Sequence, residues 1–252
     1  MMRGGKLLGL RNLIEIYRLR LKMLKKSSTL TIPTVVTLIF LGVMYSVVPH
    51  DICGSFLLSA LFIYFICLFL SIYLNGGEND IYEETLFLHC LDIHSYYFSR
   101  ELLLITLDLC YTLVLTLVPT ILFLMDNDRF TRQMELADIA CGGVHIFMCG
   151  LGGMMTGDFF HPRIFRKRRD AIIGAIAISM LAVSKEGLIN CSSAFSILNF
   201  ILPPITDGLK SVGSTSYFEP REMMLICMHL AVYCVLIMIV KIKMLEKKKF
   251  RY

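Results

Sequence analysis

Residues 54–74 read Gly-Ser-Phe-Leu-Leu-Ser-Ala-Leu-Phe-Ile-Tyr-Phe-Ile-Cys-Leu-Phe-Leu-Ser-Ile-Tyr-Leu, without a single charged side chain. A run of about twenty apolar residues is the length that crosses a hydrocarbon core of roughly 30 Å at about 1.5 Å per residue. Such a segment is expected to be a helix, because an open strand cannot satisfy its backbone in lipid. The same pattern recurs along the chain. Segment 32–48 is bounded by Pro33 and by Pro49-His50-Asp51. Segment 102–125 is interrupted by Asp108 and Pro119, and 137–157 is rich in glycine. Segment 171–184 is short unless its ends borrow from the flanks, and 223–240 is apolar apart from His229.

Composition agrees. Hydrophobic residues are 56% of the 252 positions, charged residues 18%, and the mean hydropathy is +0.67. A soluble domain is roughly half apolar and about a quarter charged, so a soluble globular chain is excluded. The expectation is an all-α polytopic membrane protein. It forms a single transmembrane domain over 1–252, with six spans. Residues 1–29 are basic and lack an apolar stretch with a small-residue cleavage site, so no cleavable signal peptide is expected.

Six spans sort the intervening segments into two sets. One set, 1–31, 75–101, 158–170 and 241–252, holds 20 of the 25 Lys and Arg residues. The other holds Arg129, Arg132, Lys185, Lys210 and Arg221. The excess of basic residues on the inner side of membrane proteins places both termini in the cytoplasm of a multi-pass chain in the cell membrane. Counting 187–205 as a seventh span would move the basic C-terminal tail outside. That stretch carries Asn190, Asn199 and Pro203-Pro204, and it reads instead as a short helix on the outer face.

Two of the inner segments carry further information. In 6–26, Leu10, Leu13, Ile14, Tyr17, Leu21 and Leu24 recur at helical spacing, and Arg11, Arg18, Lys22 and Lys25 take the opposite side. A basic amphipathic helix before a span is suited to the anionic inner leaflet, so membrane lipid is an expected partner. Segment 75–101 is acidic, with Glu78, Asp80, Glu83, Glu84 and Asp92 against one Arg100, and it carries an apolar series that includes Leu88 and Leu91. An acidic rim is repelled by anionic lipid, which favours docking to a cytoplasmic protein through Glu83, Glu84, Leu88 and Leu91.

The order of parts resembles the permease subunit of type-2 ABC exporters. A basic amphipathic elbow helix leads into two spans, and an inner loop, Glu83-Glu84-Thr85-Leu86-Phe87-Leu88-His89-Cys90-Leu91-Asp92-Ile93, precedes Arg100 and the third span. Thr85-Leu86 match the start of the family's coupling-helix motif. Phe87 replaces its glutamate, and Asp92 stands where a proline is usual. The basic inner segment beginning His161-Pro162-Arg163 is also similar to those permeases. The resemblance implies a coupling loop that receives the motion of a separate ATPase subunit, and a second permease, identical or homologous, beside the first. ATP and magnesium are then expected on the ATPase, and no cofactor on this chain.

Direct searches for chemistry agree with that division. Gly5-Lys6-Leu7 and Gly208-Leu209-Lys210-Ser211 are the nearest approaches to a phosphate-cradling loop, and neither fits. No catalytic, cofactor or metal residues are expected, and no nucleic-acid partner. The nine cysteines include no Cys-x-x-Cys pair. Cys53 and Cys191 both fall near the outer side, where a disulfide between them is one option. Asp108, a carboxylate inside the third span, reads either as a proton relay or substrate contact, or as a side chain hydrogen-bonded to a neighbouring helix. Gly153 and Gly157, four apart, read as a close helix contact. The functional expectation is a permease exporting a substrate on ATP hydrolysed by another subunit. The alternative is a membrane-embedded enzyme or assembly factor with no ATPase.

Overall fold

A computed structural model describes residues 2–77, 93–165, 167–191, 202–212 and 217–247. Among them are seven α-helices: α1 (Met2–Lys26), α2 (Thr31–Met44), α3 (Ile52–Gly77), α4 (Ile93–Met125), α5 (Leu136–Phe159), α6 (Arg168–Cys191) and α7 (Pro220–Lys247). The helices α3 to α7 are each long and apolar enough to cross a membrane, and the count reaches six if the bent pair α1–α2 forms one span. The chain is therefore a multi-pass, all-helical membrane protein. The apolar stretches read from sequence are the cores of longer helices. α4 starts at Ile93 and not at 102, and α6 extends the short fifth stretch to Cys191, which takes in the first residues of the supposed outer helix 187–205. Residues 192–201 of that helix lie outside the described residues, as does 78–92 of the 75–101 loop. Expected span 32–48 is helical only over Thr31–Met44, and that helix meets the long axis of 11–26 at 69°.

Polarity runs inside out relative to a soluble bundle. Leu109, Leu113, Leu117 and Leu124 on α4 and Leu225, Val232 and Leu236 on α7 are exposed, as lipid-facing positions should be. Hydroxyl groups meet inside: Tyr64 and Ser179 are 3.1 Å apart, and Thr156 and Tyr233 are 3.4 Å apart.

The tightest contact is between α3 and α5. A Cβ on Gly153 would lie 2.2 Å from the Tyr64 carbonyl oxygen, and one on Gly157 would lie 2.5 Å from that of Leu68. A Cβ on Gly142 would likewise fall 2.5 Å from the Phe56 ring. Between helices in lipid, dispersion and close backbone approach replace the hydrophobic drive, and glycine permits the approach.

Both ends of the bundle are closed by specific contacts. At the end where α3 begins, His50 bridges two loops through its backbone: its N donates to Arg129 O at 2.8 Å, and Thr131 N donates to its O at 2.9 Å. Arg132 donates to both Asp138 oxygens, at 2.6 and 2.8 Å, and lies 3.8 Å from the Tyr217 ring centre. The opposite end carries α1 and the basic segments. There Ile16 packs with Tyr96, Tyr97, Ile164 and Leu245, and Tyr17 hydroxyl meets that of Thr106 at 3.0 Å. The inward side of α1 is therefore Ile16, Arg20 and Leu24 with Tyr17. Ile14, expected on the apolar side, is 40% exposed.

The glycine contact yields a test. Gly153→Ala sets a methyl against backbone that cannot rotate aside, and the resulting overpacking costs about 1–3 kcal/mol. Gly187, with nothing within 4 Å of an added Cβ, is the control. Thermal unfolding in detergent should show Gly153→Ala clearly destabilised and Gly187→Ala unchanged or up to about 1 kcal/mol more stable.

Candidate functional site: a buried cluster of paired charges

Four helices bring charged or amide side chains to one point at the basic end. Arg100 and Glu101 are neighbours on α4, so they point about 100° apart around that helix. Arg100 Nε donates to Asp158 Oδ1 on α5 at 2.8 Å, and its Nη2 donates to Asn75 Oδ1 on α3. Lys241 on α7 donates to Asp158 Oδ2 and to Glu101 Oε1. Asn75 Nδ2 in turn donates to Gly157 O at 3.2 Å. All five side chains are buried. Two cations and two carboxylates leave no net charge, which is what the apolar surroundings demand of a buried ionic group. His161, just beyond α5, adjoins the cluster. Burial, reinforced by the nearby Arg100 guanidinium, holds its imidazole well below the usual histidine range despite the pull of Asp158.

A second ionic group lies at the far end. Lys185 of α6, fully buried, donates to Asp207 at 2.8 Å, and the more exposed Lys210 reaches both Asp207 and Glu186 at 3.0 Å. Burial favours the neutral Asp207, but the two ammonium groups outweigh it and hold the carboxyl below its usual range. Between α5 and α7 on the same half runs an apolar groove of about 380 Å³, lined by Met148, Met224, Cys227 and Met228 among others.

Of the residues singled out in sequence, Asp108 is fully buried on α4, away from both ionic groups, with the Cys67 thiol 3.6 Å from Oδ1. Arg11, Arg18, Lys22 and Lys25 lie on the exposed side of α1, where Arg11 pairs with Glu15 at 3.1 Å. Glu83, Glu84, Leu88 and Leu91 lie outside the described residues. Cys53 and Cys191 are free thiols, one buried and one exposed. Among the described residues no three His, Cys, Asp or Glu side chains are grouped to hold a metal ion. Sequence reasoning noted Arg100 as the opening of a span but missed Asn75, Glu101, Asp158 and Lys241 as a set. A weak signal was present: each is a polar residue directly flanking an apolar stretch, on the same side of the bundle.

The chain matches no protein-family model, and no curated protein or solved structure is significantly similar to it.

Removing one member of the cluster strands its partners. Lys241→Met leaves Glu101 without its cation in an apolar setting, and breaking a buried pair in this way costs about 3–5 kcal/mol. Unfolding measurements should show that loss, with much of it restored in Lys241→Met/Glu101→Gln, where the residual Arg100–Asp158 pair is again neutral.

Proposed function

We propose that the chain is the membrane-spanning permease subunit of an ABC transporter of the type-2 exporter kind. In this reading the basic end faces the cytoplasm, and the cell membrane is its location. α1 is the elbow helix along the inner leaflet, with Arg11, Arg18, Lys22 and Lys25 toward anionic headgroups. A separate ATPase subunit binds ATP and magnesium and docks on the loop through Glu83, Glu84, Leu88 and Leu91. A second permease subunit completes the pathway, and the substrate is moved outward.

The observation that supports this reading best is the charge cluster. Asn75, near the end of α3, and Arg100, in the first turns of α4, sit at the two ends of the 75–101 segment, and both are tied through Asp158 and Lys241 to α5 and α7. A push on the loop would reach four helices through short, directional contacts and would not be lost in flexible chain. α1 rests on the same end of α4, so an elbow there would move with it.

The rival reading is a membrane-embedded enzyme or assembly factor. It gains from the same cluster, since facing polar groups from several helices are what buried catalysis requires. Yet each cation there is already held by a carboxylate of the cluster, as in a structural joint.

Copurification separates the two. Leu88→Asp and Leu91→Asp should each remove the ATPase from the purified complex, because a truncated or charged anchor costs an interface about 2 kcal/mol or more. Glu83→Lys with Glu84→Lys should weaken it chiefly at low salt. Full ATPase association and activity in both leucine variants, or no Walker-type ATPase copurifying with the native chain, would favour the rival.

A further inference from the structure

Asp108 belongs to neither ionic group. It lies seven residues beyond Glu101 on α4, about 10 Å along the axis. Its side chain is wholly buried. The thiol of Cys67 on α3 donates to Oδ1, and Oδ2 is buried with no hydrogen-bond partner among the described residues. Among the described residues, the titratable groups that interact with it electrostatically are thiols: Cys67 on α3, Cys149 on α5 and Cys234 on α7. α5 makes room for it. A Cβ on Gly150 would fall 1.9 Å from Oδ1, so the carboxyl occupies space that any other residue at 150 would fill.

The contrast with the rest of the chain is informative. Glu101, Asp138, Asp158 and Asp207, the other buried or half-buried carboxylates noted above, each meet a lysine or arginine directly. Asp108, wholly buried beside the Cys67 thiol, meets no lysine or arginine among the described residues, and an ionised carboxylate there would have no counter-charge. We infer that Asp108 is a proton-binding site: the carboxyl is a neutral acid in this packed arrangement, and its ionised form belongs to an arrangement that admits water or a cation between α3, α4 and α5. The ligand is a proton from water, bound to one carboxyl oxygen, with no change in oxidation state. Proton occupancy would then favour the packed form over the opened one. This inference does not depend on the transport reading, because it concerns only the state of the bundle.

Infrared spectroscopy of the purified full chain in lipid nanodiscs at neutral pH tests it. The carbonyl stretching band of a neutral carboxylic acid is expected in the native protein, absent in Asp108→Asn, and shifted when aspartate labelled with heavy carbon at its side-chain carboxyl is incorporated. The labelled native chain keeps the test valid even if the substituted chain folds poorly. Cys67→Ala should keep the band but shift its frequency, since a donor to the carboxyl is lost. Dicyclohexylcarbodiimide, an apolar reagent, supplies a second readout. The acid O–H adds across one C=N bond, the oxygen bonding to carbon and the proton going to nitrogen, with no leaving group. Mass mapping should place the adduct on Asp108 and not on Glu101 or Asp158. A band without an adduct supports the proposal, with the site closed to bulky reagents. No neutral-acid band in the native chain, or a band insensitive to both labelling and Asp108→Asn, overturns it.

Discussion

The closeness of α5 to α3 sets the position of everything polar in this bundle. Two backbones separated by no side chain at Gly153 and Gly157 can approach as far as van der Waals contact allows. That approach lets Asn75, at the end of α3, donate to the carbonyl of Gly157, and it carries Asp158 into reach of Arg100 and Lys241. About two turns before Gly157, Gly150 presents the hollow that holds Asp108. A glycine face is usually thought of as packing alone. Here its carbonyls and its gaps also determine where charge can be accommodated.

Much of the fold was legible in the sequence because the lipid constraint acts locally. A span must be apolar over its whole length, so each long helix announces itself without reference to its neighbours. The stretches read from hydropathy were short at the ends, since residues such as Glu101, Asp158 and Lys241 look like the polar flanks of a span when each is taken alone. They prove helical and buried because they neutralise one another across three helices. Pairing of that kind is a tertiary fact, invisible to any window on one segment. Asp108 was legible as an exceptional residue, but Gly150 and Cys67 around it were not. The amphipathic character of α1 was also legible, whereas its protein-facing side, with Ile16 and Arg20 turned inward, depends on where Tyr96 and Thr106 lie.

The polar groups fall into three levels along the bundle. Ionic clusters close both ends, one around Asp158 and one around Asp207, each with cations and carboxylates from different elements. Between them the buried contacts are of another type: hydroxyl to hydroxyl at Tyr64–Ser179 and thiol to carboxyl at Cys67–Asp108. Ionic joints resist separation because opening one exposes charge to an apolar medium. Hydroxyl and thiol contacts are weaker and can exchange partners. The ends are thus the stiff parts of the bundle and the middle is the adaptable part, and the apolar groove of methionines and Cys227 runs from the Asp207 end inward.

The brevity of α2 ties the chain to the membrane around it. Fourteen residues reach only about 21 Å, against a hydrocarbon layer of roughly 30 Å. If α2 serves as a span, lipid beside it thins or the bend to α1 opens to lengthen the apolar stretch, and mismatch costs fractions of a kcal/mol per ångström, a few kcal/mol in all. Ile32, Leu38, Ile39 and Val43 face outward and hold the helix to the acyl chains, while Phe40 stacks on Phe62 at 3.8 Å and holds it to the bundle. As one bent span with α1, α2 would respond to bilayer thickness through the 69° angle, and a thicker host membrane would pull the two helices toward a common axis.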